Sequence, residues 1–271
     1  MQCACELCSF RNPKPTATAI FIQDGKLLVV KRNHEPFKNK WDFVGGYLQE
    51  NETPEEALRR EIKEELDAEA ELSFLGAFPG TDSYKEFEYP ILSFAYLAEL
   101  KGEIRLNEEN SEYTWLEPKK IDIAFDSNAK LLEHVKKMVF NYGEVKELVK
   151  QLDPTAEVKE FSLYKALLNG HVSRIYDGPR LVGMGWIFPR QTMLRHQAVA
   201  EDMIVDTAYR GKGLGEKILL DLIEWAKSKG VEVIELTTNP SRTAANELYK
   251  KHGFVLHPTN HYLYFTKEQN H

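Results

Sequence analysis

GYLQENETPEEALRREIKEELDA, residues Gly46–Ala68, is the stretch that decides the fold of the first half of the chain. It contains a clear helix start, because Thr53 is a favourable N-cap, Pro54 takes the first helical position and Glu56 completes a capping box. Apolar residues at helical spacing then predict one face turned toward a core. These residues are Leu58, Ile62 and Leu66. The stretch therefore predicts an amphipathic helix that begins after Thr53.

Three glutamates of this helix, Glu61, Glu64 and Glu65, share an arc roughly 100° wide beside the apolar face. Like charges at spacings of three and four residues destabilise an isolated helix by a few tenths of a kcal/mol per pair. The spacing makes physical sense if a cation lies against it, and clustered carboxylates suit a hard cation such as Mg2+. A solvated acidic helix face is the alternative interpretation.

The spacing of these residues resembles the Nudix box, G-x5-E-x7-R-E-U-x-E-E-x-G-U, where U is apolar. The match runs from Gly46 through Glu52 and Arg60 to Glu65, and it departs only at the last glycine, which is Asp67 here. Asp tolerates the left-handed conformation of such a helix end better than most residues do. The resemblance implies a Nudix hydrolase with a mixed α/β/α sandwich fold.

The same resemblance implies roles for individual residues. The implied ligands of Mg2+ (or Mn2+) are the Gly46 carbonyl, Glu61, Glu64 and Glu65. Arg60 would orient a glutamate, and Glu52 would hold the loop-to-helix junction or an outer metal. A carboxylate from a late loop would assist the metal or act as base, and Glu109 in the run Glu109-x-x-Glu112-x-x-Trp115 fits this position best. An exposed loop glutamate is the alternative for Glu109.

The residues around this motif favour a mixed strand pattern. TATAIFIQ and KLLVVKR flank an Asp24-Gly25 hairpin turn, AELSFLGAF and YPILSFAYLAEL predict strands, and EIRL after Gly102 predicts a further strand. A helix is expected near Ser127 to Lys137. Three aromatic residues are candidates for stacking on a nucleobase, with core packing as the alternative. They are Phe37, Trp41 and Tyr84.

Residues 1–12 read MQCACELCSFRN, and CELCSFRNPKP resembles the second half of the zinc ribbon that precedes some Nudix domains. Cys5 and Cys8 have knuckle spacing, but a structural zinc needs four ligands and only Cys3 is left over. We therefore expect a remnant knuckle without Zn2+, or a site that another chain completes. The NPKP segment slightly favours ADP-ribose or a dinucleotide as substrate.

Composition limits the classes of function. The chain has 271 residues, enough for two domains, and a net charge of −7 without a basic stripe argues against nucleic-acid binding. No apolar run reaches the roughly 18 residues of a membrane span. All three cysteines lie within the first eight residues, which favours a reducing, cytoplasmic location. We expect small-molecule partners, no nucleic acid and no membrane, and a homodimer remains an option.

The second half contains a β–glycine-rich loop–α–β pattern. EDMIVD predicts a strand, Arg210-Gly211-Lys212-Gly213-Leu214-Gly215 a loop, and the segment from Leu214 an amphipathic helix that leads to the strand VEVIELTT. Free N–H groups at such a helix start suit a phosphate or pyrophosphate. EVKELVKQL and EFSLYKALL predict helices, and Asp177-Gly178 predicts a hairpin turn. The glycine spacing fits neither a P-loop nor a dinucleotide fingerprint.

The run Arg210-x-x-Gly213-x-Gly215 resembles the acyl-CoA loop of GNAT-type N-acetyltransferases, [QR]-x-x-G-x-[GA]. The downstream segment from Asn239 to Phe254 resembles the second motif of that family. The resemblance implies an α/β domain with a mixed, mostly antiparallel sheet, acetyl-CoA as cosubstrate and an amine acceptor. It implies cofactor contacts at Met203, Val205, Arg210, Gly211, Gly213, Leu214, Gly215 and Asn246.

Tyr249 matches the general acid that protonates the departing thiolate, with helix packing as the alternative. Glu201 or Asp202 would deprotonate the amine. We expect a knuckle at 1–12, a Nudix domain at 13–137 and an acetyltransferase domain at 138–271, each domain with its own activity. Two other classes remain open: an acetyltransferase whose Nudix domain senses a nucleotide without cleaving it, and a scaffold with neither activity.

Overall fold

The structure is a computed structural model that describes residues 12–84, 87–260, 262 and 264. The described residues form two β-sheets with helices on both faces of each, so the predicted α/β class with mixed sheets is confirmed. The N-terminal knuckle with Cys3, Cys5 and Cys8 lies outside these residues. Within them, no helix has the length and apolar character needed to cross a membrane.

The first sheet has the strand order β3-β2-β1-β6-β5, with β4 paired to β1 and β7 paired to β2. Strands β1 and β6 run parallel, and the other pairs are antiparallel. The strands are β1 (Lys14–Gln23), β2 (Lys26–Arg32), β3 (Trp41–Asp42), β4 (Gly45–Tyr47), β5 (Glu69–Tyr84), β6 (Phe87–Lys101) and β7 (Asn110–Leu116).

Two helices cover this sheet, α1 (Pro54–Leu66) and α2 (Asp126–Met138). Alternate residues of β1 point to opposite faces, as strand geometry requires. Ala19 and Phe21 therefore pack with α1, while Ile20 packs with α2. This sandwich places the acidic face of α1 beside the short strand β4.

The second sheet has the order β11-β10-β9-β8, in which β10 and β11 are parallel and the other pairs are antiparallel. Helix α5 packs on one face and helices α3 and α4 on the other. The strands are β8 (His171–Asp177), β9 (Arg180–Gln191), β10 (His196–Val205) and β11 (Val233–Leu236). The helices are α3 (Tyr142–Lys150), α4 (Glu160–Leu168), α5 (Leu214–Ser228) and α6 (Thr243–Lys251).

The two sheets share a hydrophobic core. Leu97 of β6 is buried in one cluster with Tyr164 of α4 and residues of β8–β10. At the β1–β2 turn, the N–H groups of Asp24 and Gly25 donate to the Glu160 carboxylate at 2.8 and 3.2 Å. These contacts join the first sheet to the helices that begin the second half of the chain.

The prediction of a strand at EIRL was wrong. Residues 103–106 have no strand partner, and the Arg105 N–H instead donates to the carbonyl of Leu66 at 2.8 Å. Ile104 and Leu106 pack against the core as part of a loop. The alternating apolar residues therefore serve loop packing rather than a strand.

Candidate active sites

Helix α1 begins and ends where its sequence predicts. The Thr53 side chain accepts from the Glu56 N–H, and the Glu56 carboxylate accepts from the Thr53 N–H, so the capping box is complete. At the other end Asp67 is left-handed, with φ 50°. These two ends position the acidic side chains of the helix against β4.

Arg60 lies at the centre of the acidic cluster. It donates to Glu52 at 2.7 and 3.0 Å, to Glu61 at 2.8 Å and to Glu64 at 3.2 Å. A further bond of 3.1 Å reaches the carbonyl of Tyr47. The bonds from Arg60 lower the pKa of Glu52 to about 2. Arg60 therefore ties the loop before α1 to the carboxylates on the helix.

Gly46 lies directly against Glu61. A Cβ atom at position 46 would stand 2.2 Å from Oε1 of Glu61, so only glycine leaves room for this carboxylate. Burial raises the pKa of Glu61, Arg60 opposes this shift, and the charges of Glu64 and Glu109 add to it. The structure therefore brings Glu109, on the loop before β7, into the electrostatic neighbourhood of Glu61.

Glu65 has a different environment from its neighbours on the helix. Its carboxylate is buried and accepts from the Gly45 N–H at 3.0 Å and from Nδ2 of Asn110 at 2.6 Å. Burial raises the pKa of Glu65 to about 8. Glu64, by contrast, keeps 53% of its side chain exposed. Sequence reasoning treated Glu64 and Glu65 alike and missed Asn110, although Asn110 follows Glu109 directly.

The carboxylates have the chemistry that a hard divalent cation prefers. In the described residues, no three His, Cys, Asp or Glu side chains converge as a ready-made metal group. Arg60 instead provides positive charge between Glu61 and Glu64. The mutual repulsion at Glu61 and the absence of a side chain at Gly46 fit a cation beside this carboxylate. The donor set therefore suits Mg2+ or Mn2+.

The predicted aromatic stacking residues are partly engaged elsewhere. Phe37 makes an edge-to-face contact with Phe125, with ring centroids 5.1 Å apart. Trp41 packs against the core below α2. The side chain of Tyr84 lies outside the part of the structure that is described. Nucleobase stacking by Phe37 or Trp41 stays a prediction, and the prediction for Tyr84 is not tested by the described residues.

A cavity of about 830 Å³ opens in the second sheet. It forms because β10 pairs with β11 only over Gln197–Ala200, after which the two strands separate. Its walls come from the end of α3, the second half of β10, the residues after β11 and the start of α6. The predicted site residues that line it are Glu201, Asp202, Met203, Val205, Arg210 and Tyr249.

A β-bulge reshapes β10 at this cavity. The register with β9 shifts between Glu201 and Ile204, and Asp202 takes φ 50°. Beyond the bulge, Met203 and Val205 have no β11 partner, and the Val205 carbonyl accepts from the Arg210 side chain instead. Partial burial raises the pKa of Asp202. These features place two carboxylates and an open strand edge along one wall.

The glycine-rich loop leads into α5 from the end of β10. Gly211 and Gly213 both have φ 75°, and Gly213 is the N-cap of α5, so Leu214 is its first helical residue. The space around a Cβ at Gly211 or Gly213 is open, and backbone conformation rather than room requires glycine there. Arg210 folds back and donates to the Val205 carbonyl at 3.1 Å.

Tyr249 and Asn246 of α6 differ in their surroundings. Burial raises the pKa of Tyr249, so its phenol stays protonated at neutral pH, and its hydroxyl lies 3.9 Å from Sδ of Met203. Asn246 does not line the cavity. Its amide donates to the carbonyls of Asn239 and Arg242 and holds the turn before α6. A cofactor contact by Asn246 stays a prediction.

Gln151, which sequence reasoning missed, connects α3 to the glycine-rich loop. Its side chain accepts from the Thr207 N–H at 2.9 Å and donates to Asp206 at 3.4 Å. Asp206 is buried and also accepts from Arg180 at 2.8 Å. Because Gln151 lies 55 residues before Asp206, no local pattern could have indicated this contact.

Known proteins resemble both halves of the chain. The family model "NUDIX domain" matches residues 13–137, and "Acetyltransferase (GNAT) family" matches residues 130–254. The ADP-ribose pyrophosphatase of Methanocaldococcus jannaschii is 28% identical over 43% of this chain and 70% of its own. The nucleoside triphosphatase NudI of Escherichia coli is 30% identical over 39% of this chain and 82% of its own.

Two solved structures are similar to parts of the chain. A MutT Nudix hydrolase from Burkholderia pseudomallei has 24% identity, a TM-score of 0.40 and covers 45% of this chain and 95% of its own. An acetyltransferase from Trypanosoma brucei has 23% identity, a TM-score of 0.40 and covers 45% of this chain and 92% of its own. By the 30% identical relative and the family model over residues 13–137 the chain belongs to the Nudix family, and its residues 130–254 match the model of the GNAT acetyltransferase family.

Proposed function

We propose that the chain has two catalytic activities. The first is hydrolysis of a pyrophosphate bond in a nucleoside diphosphate derivative, with ADP-ribose or a dinucleotide as the favoured class. The second is transfer of an acetyl group from acetyl-CoA to an amine. The proposed limits are 13–137 for the hydrolase and 138–271 for the acetyltransferase.

The observation that carries the first activity is the Glu61 carboxylate beside Gly46, on which the negative charges of Glu64 and Glu109 act. Glu61, Glu64, Glu65 and the Gly46 carbonyl would hold Mg2+, which neutralises phosphate oxygens and lowers the pKa of an attacking water. Arg60 orients Glu61 and Glu64 through its bonds to both. Asn110 and the Gly45 N–H fix Glu65. Glu109, whose charge acts on Glu61, would accept a proton from the water.

A substrate panel tests this activity and names its class. We would measure phosphate or nucleotide release from ADP-ribose, NADH, diadenosine polyphosphates, nucleotide sugars, CoA and oxidised nucleoside triphosphates in the presence of Mg2+. The name of the M. jannaschii relative is a second reason to include ADP-ribose among the substrates. A product that forms with the wild-type chain and not with Glu64→Gln would support the hydrolase. If the folded protein releases no phosphate or nucleotide from any of these substrates, the nucleotide-sensing alternative is favoured.

The observation that carries the second activity is the cavity between the diverging strands β10 and β11, with Arg210 from the start of the glycine-rich loop in its wall. The N–H groups at the start of α5 would bind the CoA pyrophosphate. Backbone groups of Met203 and Val205 would pair with the pantetheine arm. Tyr249 would protonate the thiolate, and Asp202 or Glu201 would take the proton from the amine.

Calorimetric titration with acetyl-CoA tests the second site, because binding precedes any search for the acceptor. We expect a one-to-one complex that desulfo-CoA also forms. Tyr249→Phe should retain binding and lower the rate of acetyl transfer. A chain that binds neither ligand would contradict the proposal and leave the scaffold interpretation in its place.

A further inference from the structure

Tyr47 is the residue next to Gly46, and it points to the other side of β4. An ideal Cβ at Gly46 is directed at Glu61, and successive side chains of a strand point to opposite faces. The Tyr47 ring is therefore directed away from the carboxylate cluster, although its carbonyl accepts from Arg60 at 3.1 Å. Tyr47 lies one residue along the chain from the cluster and across a single strand.

Three side chains form a compact group on this side. The hydroxyls of Tyr47 and Tyr89 are 2.9 Å apart. The Lys14 ammonium lies 4.7 Å from the ring centroid of Tyr89 and 5.9 Å from that of Tyr47. The pairing of β1 with both β4 and β6 brings the three residues together. We call this group the Tyr47 cluster.

The Tyr47 cluster is accessible to a ligand. Tyr47 is 46% exposed, and Phe87, two residues before Tyr89 on the same face of β6, is 74% exposed. Among the described residues, Lys14 has no carboxylate partner within ion-pair distance, although the chain is acidic overall. The cluster therefore presents exposed aromatic rings together with the Lys14 ammonium, which forms no ion pair with a carboxylate of the described residues.

A ligand that contacts both the cluster and the carboxylates would cross the outer edge of β4. Arg60 and Glu65 bind the Tyr47 carbonyl and the Gly45 N–H of this strand, so the ligand would pass over these two side chains. Strand β4 pairs with β1, and no pairing is formed along its other edge in the described residues. A molecule that crosses this free edge at Gly46 would have one part beside Glu61 and another beside Tyr47. Such an arrangement suits an elongated substrate with a planar group attached to phosphate.

We propose that Lys14, Tyr47 and Tyr89 form the subsite for the nucleoside monophosphate part of the substrate. The base would stack on the exposed ring of Tyr47, and the phosphate would lie toward the Lys14 ammonium. Aromatic rings stack on any base, and an ammonium attracts phosphate charge without reading the base. This inference rests on the proposed hydrolase activity, and it makes recognition depend on a base plus an anion.

Binding of AMP to the full-length chain tests the subsite without any pyrophosphate cleavage. Lys14, Tyr47 and Tyr89 do not line the second cavity, so variants of these residues separate binding at the cluster from binding of AMP in that cavity. We expect Tyr47→Leu to weaken AMP about tenfold, while Tyr47→Phe, which keeps the ring, stays within about threefold. Lys14→Met should weaken AMP and leave adenosine unchanged. Ribose 5-phosphate, which has no base, should bind less tightly than AMP.

Tyr176→Leu is the matched control, because Tyr176 has a similar exposure of 45% on β8 of the second sheet. Circular dichroism and melting temperatures establish that each variant is folded. An AMP affinity that is the same in Tyr47→Leu and the wild type would overturn the inference. Equal losses with Tyr47→Phe and Tyr47→Leu would also overturn it, because they would make the hydroxyl pair a support for β4 rather than a stacking surface.

The outcome is separable from that of the hydrolase proposal. If the wild-type chain hydrolyses a substrate, Tyr47→Leu should raise its KM at least about fivefold with kcat nearly unchanged. Hydrolysis with an unaltered KM would reject the subsite and keep the hydrolase. AMP binding that depends on Tyr47, in a chain that cleaves nothing, would keep the subsite and reject the hydrolase.

Discussion

At the scale of single residues, Gly46 is the position where the smallest change should have the largest effect on hydrolysis. Its missing side chain is what allows the Glu61 carboxylate to approach the strand. Neighbouring Gly45 has its own requirement, because a Cβ there would stand 2.1 Å from the Ala17 carbonyl. Adjacent glycines are thus needed for two different reasons, one to admit a functional carboxylate and one to pair with β1.

Gly46→Ala should lower kcat for hydrolysis by about 100-fold, because displacing a catalytic group by about 1 Å has an effect of this size. Acetyl-CoA affinity of the same molecules provides an internal control, since the second cavity is formed by other residues. The measurement is kcat for the panel substrate beside calorimetry with acetyl-CoA. Unchanged hydrolysis would contradict the assigned role of the Gly46–Glu61 contact.

Asp42 should control part of the pH dependence of stability. Burial raises its pKa from 3.8 to about 6, despite bonds from Asn128 and Arg32. The folded chain therefore binds more protons than the unfolded chain between pH 4 and 6, so the free energy of unfolding falls as the pH rises through this range. The stabilisation is present below the unfolded pKa and lost above about 6.

Asp42→Asn removes this titration, so the free energy of unfolding of the wild type should fall by about 2 kcal/mol relative to that of the variant between pH 4 and pH 7. Urea unfolding of both proteins at several pH values measures the difference. If the difference in unfolding free energy between the two proteins is the same at every pH, the pKa of Asp42 is the same in the folded and unfolded states, which would contradict the prediction.

At the scale of elements, the separation of β10 from β11 creates the cavity, and Arg210 at the start of the glycine-rich loop lies in its wall. Gly213 is the junction between loop and helix α5, since it is left-handed and serves as the N-cap. Its conformation begins the helix whose first N–H groups would bind a pyrophosphate.

Gly213→Ala should weaken acetyl-CoA binding up to about tenfold, because a left-handed alanine costs about 1–2 kcal/mol and the loop will shift to relieve the strain. Gly178→Ala is the matched control, since Gly178 also has a left-handed φ of 57° but lies at the turn between β8 and β9. Calorimetric Kd values compare the two variants. Equal affinities in both would argue that the loop does not bind the cofactor.

At the scale of the whole molecule, the two sheets are connected by one core and by polar contacts. Tyr164 is fully buried in that core and its hydroxyl donates to the Phe140 carbonyl at 3.3 Å. Lys165 pairs with Glu71 of β5 at 2.9 Å, near the Glu160 contact with the β1–β2 turn. We therefore expect the two halves to unfold together.

Tyr164→Ala should lower stability by about 3–5 kcal/mol, as large core truncations do, and Tyr164→Phe by only about 1 kcal/mol for the lost hydrogen bond. Calorimetry should give one unfolding transition that moves as a unit, with hydrolysis and acetyl-CoA binding lost at the same temperature. Two transitions, of which Tyr164→Ala shifts only one, would contradict a shared core.

Much of the fold was predictable because its signals are local. The capping box at Thr53, the left-handed Asp67 and the turn at Asp24-Gly25 all depend on residues within a few positions of one another. The strand predicted at residues 103–106 failed because alternating apolar residues pack equally well in a loop. Asn110 was missed because its partner lies 45 residues away.

By itself, the sequence determined the acidic helix, the order of its charged residues and the glycine-rich start of α5, since these follow from helix periodicity and chain geometry. Tertiary structure decided which glutamate is buried, which aromatic residues face the free edge of β4, and how Glu160 meets a turn 136 residues away. Those outcomes depend on packing between distant segments, and such contacts leave no pattern in any one segment.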